Sequence, residues 1–117
     1  MAPESISAVK VVFGVMTIGN GQEQSRVSDL SEAGKILDIF QSYGHNEIDT
    51  SRYYGSGTSE EYLGKLNWQE RGIVMDTEFY PTVGKNMDQD QWTHRREHLR
   101  ENLKRLLKAL NAKKVDM

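Results

Sequence analysis

Glu47-Ile48-Asp49-Thr50-Ser51-Arg52-Tyr53-Tyr54-Gly55-Ser56-Gly57-Thr58-Ser59-Glu60-Glu61-Tyr62-Leu63-Gly64 reads as a short strand, a glycine-bearing turn and the opening of a helix. An acid and a phenol, Asp49 and Tyr54, stand five residues apart at the junction. Thr58 and Glu61 have the Thr-x-x-Glu spacing of a capping box, with Tyr62, Leu63 and Leu66 behind them as the apolar side of the helix. Junctions at which a parallel strand gives way to a helix are where barrel enzymes carry their catalytic side chains.

On either side of this stretch, short apolar runs alternate with longer segments of helical period, the pattern of βα units around a parallel sheet. Val9-Lys10-Val11-Val12-Phe13-Gly14-Val15-Met16 is the preceding strand, closed by Gly19, Asn20 and Gly21. Gly72-Ile73-Val74-Met75-Asp76-Thr77-Glu78-Phe79 is the following one, ending before Pro81, and Lys114-Val115-Asp116-Met117 begins a fourth. Leu30, Ala33, Ile36, Leu37 and Phe40 give one helix an apolar face, with Asp29 and Glu32 as its capping box and Gly44 as its stop. Trp92, Leu99, Leu103, Leu106, Leu107 and Leu110 form the stripe of the last helix, on which Glu101 meets Arg105 across one turn. The expected order is β-α-β-α-β-α-β, an α/β fold. Pro81-Thr82-Val83-Gly84-Lys85-Asn86-Met87 is its one long connection.

The chain has 117 residues, 37% apolar and 27% charged, which suits one globular domain over 9–117 behind a tail of residues 1–8. A net charge of -2 gives no electrostatic reason for nucleic acid or an anionic membrane as a partner. Cysteine is absent, so neither a disulfide framework nor a thiolate metal site is expected. Met1-Ala2-Pro3-Glu4-Ser5-Ile6-Ser7-Ala8 does not read as a signal peptide, and no run approaches the roughly 18 apolar residues of a membrane span. A cytoplasmic location is the expectation.

His94-Arg95-Arg96-Glu97-His98 has the H-x-x-E-H spacing of a zinc-protease pair. At roughly 100° per residue both histidines fall away from the stripe of Trp92, Leu99, Leu103 and Leu110, on a solvated face without a third ligand, so no metal site is expected. Lys104, Arg105, Lys108, Lys113 and Lys114 suit the negative end of a helix dipole. Gly14-Val15-Met16-Thr17-Ile18-Gly19 follows a strand but lacks the G-x-G-x-x-G spacing of a dinucleotide fingerprint.

The central stretch resembles the aldo-keto reductases, in particular the aflatoxin-aldehyde reductase branch: a short apolar strand, Asp49-Thr50, a tyrosine five after the acid, a glycine loop, Ser59-Glu60 and Leu63-Gly64. The resemblance covers the chain from Val9 onward and implies a partial (β/α)8 TIM barrel, about the first three and a half βα units with parallel strands; a whole barrel takes roughly 250 residues. It implies NADPH-dependent reduction of aldehydes or ketones, a small-molecule carbonyl as substrate, Tyr54 as the acid, and Asp49 as the residue that pairs with a lysine and contacts the nicotinamide ribose. Met16 and Thr17, in the first βα loop, become candidate cofactor contacts. At the family's lysine position the frame Met75-Asp76-Thr77 leads into Glu78, and the chain ends before the family's histidine. The expectation is therefore a reductase-like N-terminal half, inactive alone, which associates with itself through exposed half-barrel edges; the rival is a non-catalytic half-barrel that binds a partner.

Overall fold

The computed structural model describes residues 9–82 and 91–116. The tail at 1–8, positions 83–87 of the long connection and Met117 lie outside the described residues. Seven elements follow in order: β1 Val12–Gly14, α1 Leu30–Ser42, β2 Glu47–Ser51, a 3-10 turn Tyr54–Gly57, α2 Thr58–Lys65, β3 Val74–Glu78 and α3 Arg96–Ala109. The strands form one parallel sheet in the order β1-β2-β3. Gly14 is level with Asp49, Asp49 with Asp76, and Ser51 with Glu78.

Strand alternation sorts the side chains to two faces. Ile48 and Met75 are fully buried in one apolar cluster with Leu37, Leu63, Leu106 and Leu110, so this face meets the helices. Glu47, Asp49, Asp76 and Glu78 belong by the same parity to the opposite face. The first strand is shorter than its apolar run, because only Val12–Gly14 has a ladder partner, while Val9 and Val11 are exposed.

The first helix begins and ends as its sequence directs. The Asp29 side chain accepts the Glu32 N–H at 2.8 Å, and Gly44 follows the end with a φ of 83°. The capping box expected for α2 does not form. Gly57 is its N-cap in a left-handed conformation, and the Thr58 hydroxyl turns back to the loops, 2.6 Å from the Asn20 carbonyl and 2.7 Å from that of Gly55.

In α3 the expected stripe is only half buried. The helix docks by its C-terminal half, through Asn102, Leu106 and Leu110, where Gly64 of α2 lies against Ala109 and Leu110; Leu99 and Leu103 remain 42% and 45% exposed. Trp92 precedes the helix, so the helical wheel does not govern it. Its ring meets Phe79 and His98 edge-on, and His94 packs on Phe79, which places both histidines in the aromatic cluster rather than away from it. His98 Nδ1 accepts the Thr93 N–H at 2.9 Å. Glu101 and Arg105 pair as expected at 3.1 Å. Residues 114–116 make no regular strand, yet the Asp116 N–H donates to the Met75 carbonyl at 3.0 Å and its carboxylate accepts the Met75 N–H at 2.9 Å, so the chain lies alongside β3.

Candidate active site

The C-terminal ends of β1, β2 and β3 bring the sequence candidates to one side of the sheet. Asp49 is fixed by the ladder, and its carbonyl accepts the Val15 N–H at 3.1 Å, so the loop carrying Met16 and Thr17 leaves β1 beside it. Met16 is 46% exposed there, and the Thr17 carbonyl accepts the N–H groups of Arg26 and Val27 at 2.8 and 3.0 Å, which closes the loop on itself. Ser51, at the end of β2, sits close to the Glu78 carbonyl at 3.3 Å and accepts the Tyr53 N–H at 3.2 Å. That seats the turn bearing Tyr54 directly on the end of β3. The Tyr53 ring packs on Tyr80, centroids 4.9 Å apart.

The electrostatics tie Asp49, Tyr54 and Glu78 together. Burial raises the Asp49 carboxyl above its ordinary range, and the Glu78 charge adds to that. Burial also raises the Tyr54 phenol, with Asp49 and then Glu78 as further causes. Each effect favours the protonated form.

Three further groups had a sequence signal that the motif reading passed over. Asp76 stands two residues before Glu78 and therefore on the same face of β3; burial, then the hydrogen bond and charge of Glu47, raise its carboxyl, with Asp49 and Asp116 behind them. Lys10 answers this acidity with a 2.6 Å ion pair to Glu47. Glu60, fully buried on α2, accepts from Arg52 at 2.9 Å. Burial raises its carboxyl while Arg52 holds it down. Thr77 also lowers it, although neither Glu60 Oε1 nor Thr77 Oγ1 completes a hydrogen bond of good geometry. Among the described residues no group of three His, Cys, Asp or Glu side chains is gathered as a metal ion would need. No described helix is long and apolar enough to cross a membrane. A groove of about 730 Å³ lies elsewhere, between α2 and α3, where Arg52, Lys65, Arg105 and Lys108 surround converging helix ends.

A parallel βα sheet with an acid, a phenol and a second acid at the C-terminal end of its strands has the architecture of part of a βα barrel. The chain belongs to the aldo/keto reductase family, whose model matches residues 10–117. It is 42% identical over 81 residues to an aldo-keto reductase of Pseudocercospora fijiensis, covering 69% of this chain and 26% of that protein. It is 34% identical over 111 residues to the aldo-keto reductase pigE of Monascus ruber, covering 92% of this chain and 32% of that one. The chain thus spans about a quarter to a third of the length of these relatives. Among solved structures, a protein of Pseudomonas aeruginosa described as an aldo-keto reductase superposes with a TM-score of 0.71 at 28% identity, over 89% of this chain and 39% of that chain. The holo form of a Bacillus halodurans aldo-keto reductase shares the fold with a TM-score of 0.71 at 22% identity, over 96% of this chain and 36% of that one.

Proposed function

We propose that this half-site is built for reduction of an aldehyde or ketone to an alcohol, in the manner of the aflatoxin-aldehyde reductase branch, and that the chain by itself does not turn over. The observation that carries both parts is the seating of the turn bearing Tyr54 on the ends of β2 and β3, where Ser51 is level with Glu78 and takes the Tyr53 N–H, beside Asp49 two residues back on β2. NADPH, the family's usual cofactor, supplies the hydride when bound. The residues present fit its nicotinamide end: the half-buried Asp49 carboxyl offers oxygens to a ribose hydroxyl, and the exposed Met16 and Thr17 offer a surface to the ring. Tyr54 Oη would give its proton to the carbonyl oxygen as the carbonyl carbon accepts the hydride, the phenol O–H breaking as the alcohol O–H forms.

Glu78 works against that transfer. An anion beside the phenol opposes the charge left on it, where a cation would stabilise that charge. The second reading, a non-catalytic half-barrel that binds another chain, is favoured by this residue and by the exposed edge at Val9, Val11 and Val12. Two measurements separate the readings. NADPH fluorescence titrated with the chain should show no saturable micromolar binding. A chimera completed with the C-terminal remainder of a relative should bind NADPH and reduce an aromatic aldehyde slowly, and Glu78→Lys in that chimera should raise kcat by ~100-fold or more, on the order of 2.7 kcal/mol. Equal rates for the two chimeras would remove Glu78 as the cause of inactivity.

A further inference from the structure

The segment between β2 and α2 is held in a conformation its backbone does not favour. Gly55, Ser56 and Gly57 follow one another with φ values of 58°, 55° and 94°, all in the left-handed region, which a serine side chain resists. Tyr54 opens this turn, so whatever holds the turn decides where the phenol stands. The Ser51 hydroxyl takes the Tyr53 N–H, and Thr58 ties Gly55 to the loop at Asn20. At the middle of the turn Ser56 Oγ accepts the Gln22 side-chain N–H at 3.0 Å, which ties it outward to the β1–α1 loop, and none of these contacts joins the turn to the body of α2.

Arg52 does. It leaves the chain two residues before Tyr54, and its guanidinium lies so close over Gly57 that a Cβ there would come within 2.7 Å of it. From that position Nη1 donates to Glu60 Oε2 at 2.9 Å. Glu60 has no exposed side-chain surface, whereas Arg52 keeps 26%. A buried ion pair of this kind adds little to stability over apolar residues of similar size, because both charges leave water. What it does supply is a fixed direction: the carboxylate on the first turn of α2 draws the guanidinium across the glycine and pins the turn to the helix.

We infer that Arg52 and Glu60 are a positioning pair, which clamps residues 53–57 against α2 and so holds Tyr54 within reach of Asp49 and Glu78. The inference rests on the assignment of Tyr54 to the half-site, and its test reads the phenol directly, without turnover or cofactor. In the intact chain labelled with 13C at tyrosine Cζ, Glu60→Gln removes the charge with little change of volume. The Tyr54 titration should then fall toward the ordinary phenol value near ~10, as the ring leaves the two carboxyls. Amide exchange over residues 53–57 should quicken by about tenfold or more relative to Ile48 and Met75, an opening of roughly 1.4 kcal/mol confined to the turn. Arg52→Lys, which keeps the charge, should lie between the two.

Should Glu60→Gln fail to fold, the paired change Arg52→Met with Glu60→Leu removes both charges without stranding one, and the same two readings apply. A purely structural role predicts a different result: protection lost at Ile48 and Met75 as much as in the turn, with Tyr54 titrating in the folded state where it did before. That result, in either background, overturns the inference. The reductase reading is judged separately by NADPH titration, so failure of one is not failure of the other.

Discussion

Neutralising Glu78 should move two titrations at once. Burial is the leading cause of the raised Asp49 carboxyl and the raised Tyr54 phenol, but Glu78 contributes to both. At a nominal separation of about 5 Å, two unit charges interact by roughly 3 kcal/mol at an effective dielectric near 20, and by about 0.8 kcal/mol at that of water. Glu78 is exposed, so the screened figure is the relevant one, or roughly 0.6 of a pKa unit. Glu78→Gln should therefore lower both the Asp49 and the Tyr54 titrations, and Glu78→Lys should lower them further. Both groups can be followed by 13C NMR in chain labelled at aspartate Cγ and tyrosine Cζ. If Glu78→Lys leaves either titration where it was, the three side chains do not share a site, and the electrostatic ground for proposing inactivity fails with it.

Other outcomes follow from the packing and charge. Asp49, Asp76 and Glu60 have raised carboxyls, so the folded chain binds protons more tightly than the unfolded one; their contribution is present below the ordinary carboxylate range and is lost as pH rises through the folded values. Among the described residues Glu47, held down by Lys10, acts in the opposite sense, so the thermal midpoint should fall as pH rises above the ordinary carboxylate range; a midpoint that climbs instead would contradict the assignment. Gly64→Ala would drive a methyl into the Ala109 carbonyl and Leu110, backbone that cannot yield, and should destabilise by about 1–3 kcal/mol in urea unfolding. The exposed Val11 and Val12 on β1, together with exposed Leu99 and Leu103, should make the purified chain self-associate; a monomeric mass by size-exclusion with light scattering, with one cooperative unfolding transition, would refute that.

Legibility in the sequence depended on whether a feature was local. Asp29 and Gly44 bounded α1 because a cap and a left-handed stop are decided within a few residues. The order of strands and helices, and the parallel sheet, followed from the alternation of apolar runs. Thr58 misled because its hydroxyl has partners in two other loops, whose proximity to it only the assembled fold reveals. Trp68 was invisible for a related reason: in the polar run Asn67-Trp68-Gln69-Glu70 nothing marks it as core, yet it is buried and donates to the Leu110 carbonyl at 2.8 Å, from the other end of the domain. Leu99 and Leu103 carry the same helical spacing as buried Leu106 and Leu110. Periodicity ranks the sectors of a helix, but not how far along its axis a neighbour extends. At the sheet mouth, Asp49, Tyr54 and Glu78 were singled out by the family resemblance, and the structure sets Asp49 and Glu78 on one face of neighbouring strands, whereas the Arg52–Glu60 ion pair needed the three-dimensional turn to appear.

The acids on the inner face of the sheet change what Glu78 means. Glu47, Asp49, Asp76 and Glu78 share that face, with Lys10 as the partner of the first. Asp49 and Asp76 stand level on neighbouring strands; burial and Glu47 raise the Asp76 carboxyl, with Asp49 adding to that, while burial and then Glu78 raise Asp49. A cation at position 78 would relieve this crowding and stabilise a phenolate at Tyr54; a carboxyl intensifies it. On this face burial and neighbouring charge both shift Asp49, Asp76 and Tyr54 toward their protonated forms. A neutral Asp49 would also be a weaker acceptor for a ribose hydroxyl than a carboxylate, so the same residue that disfavours proton transfer should weaken hold of the cofactor. One substitution thus bears on both halves of the chemistry, and restoring only one of them would leave the site idle.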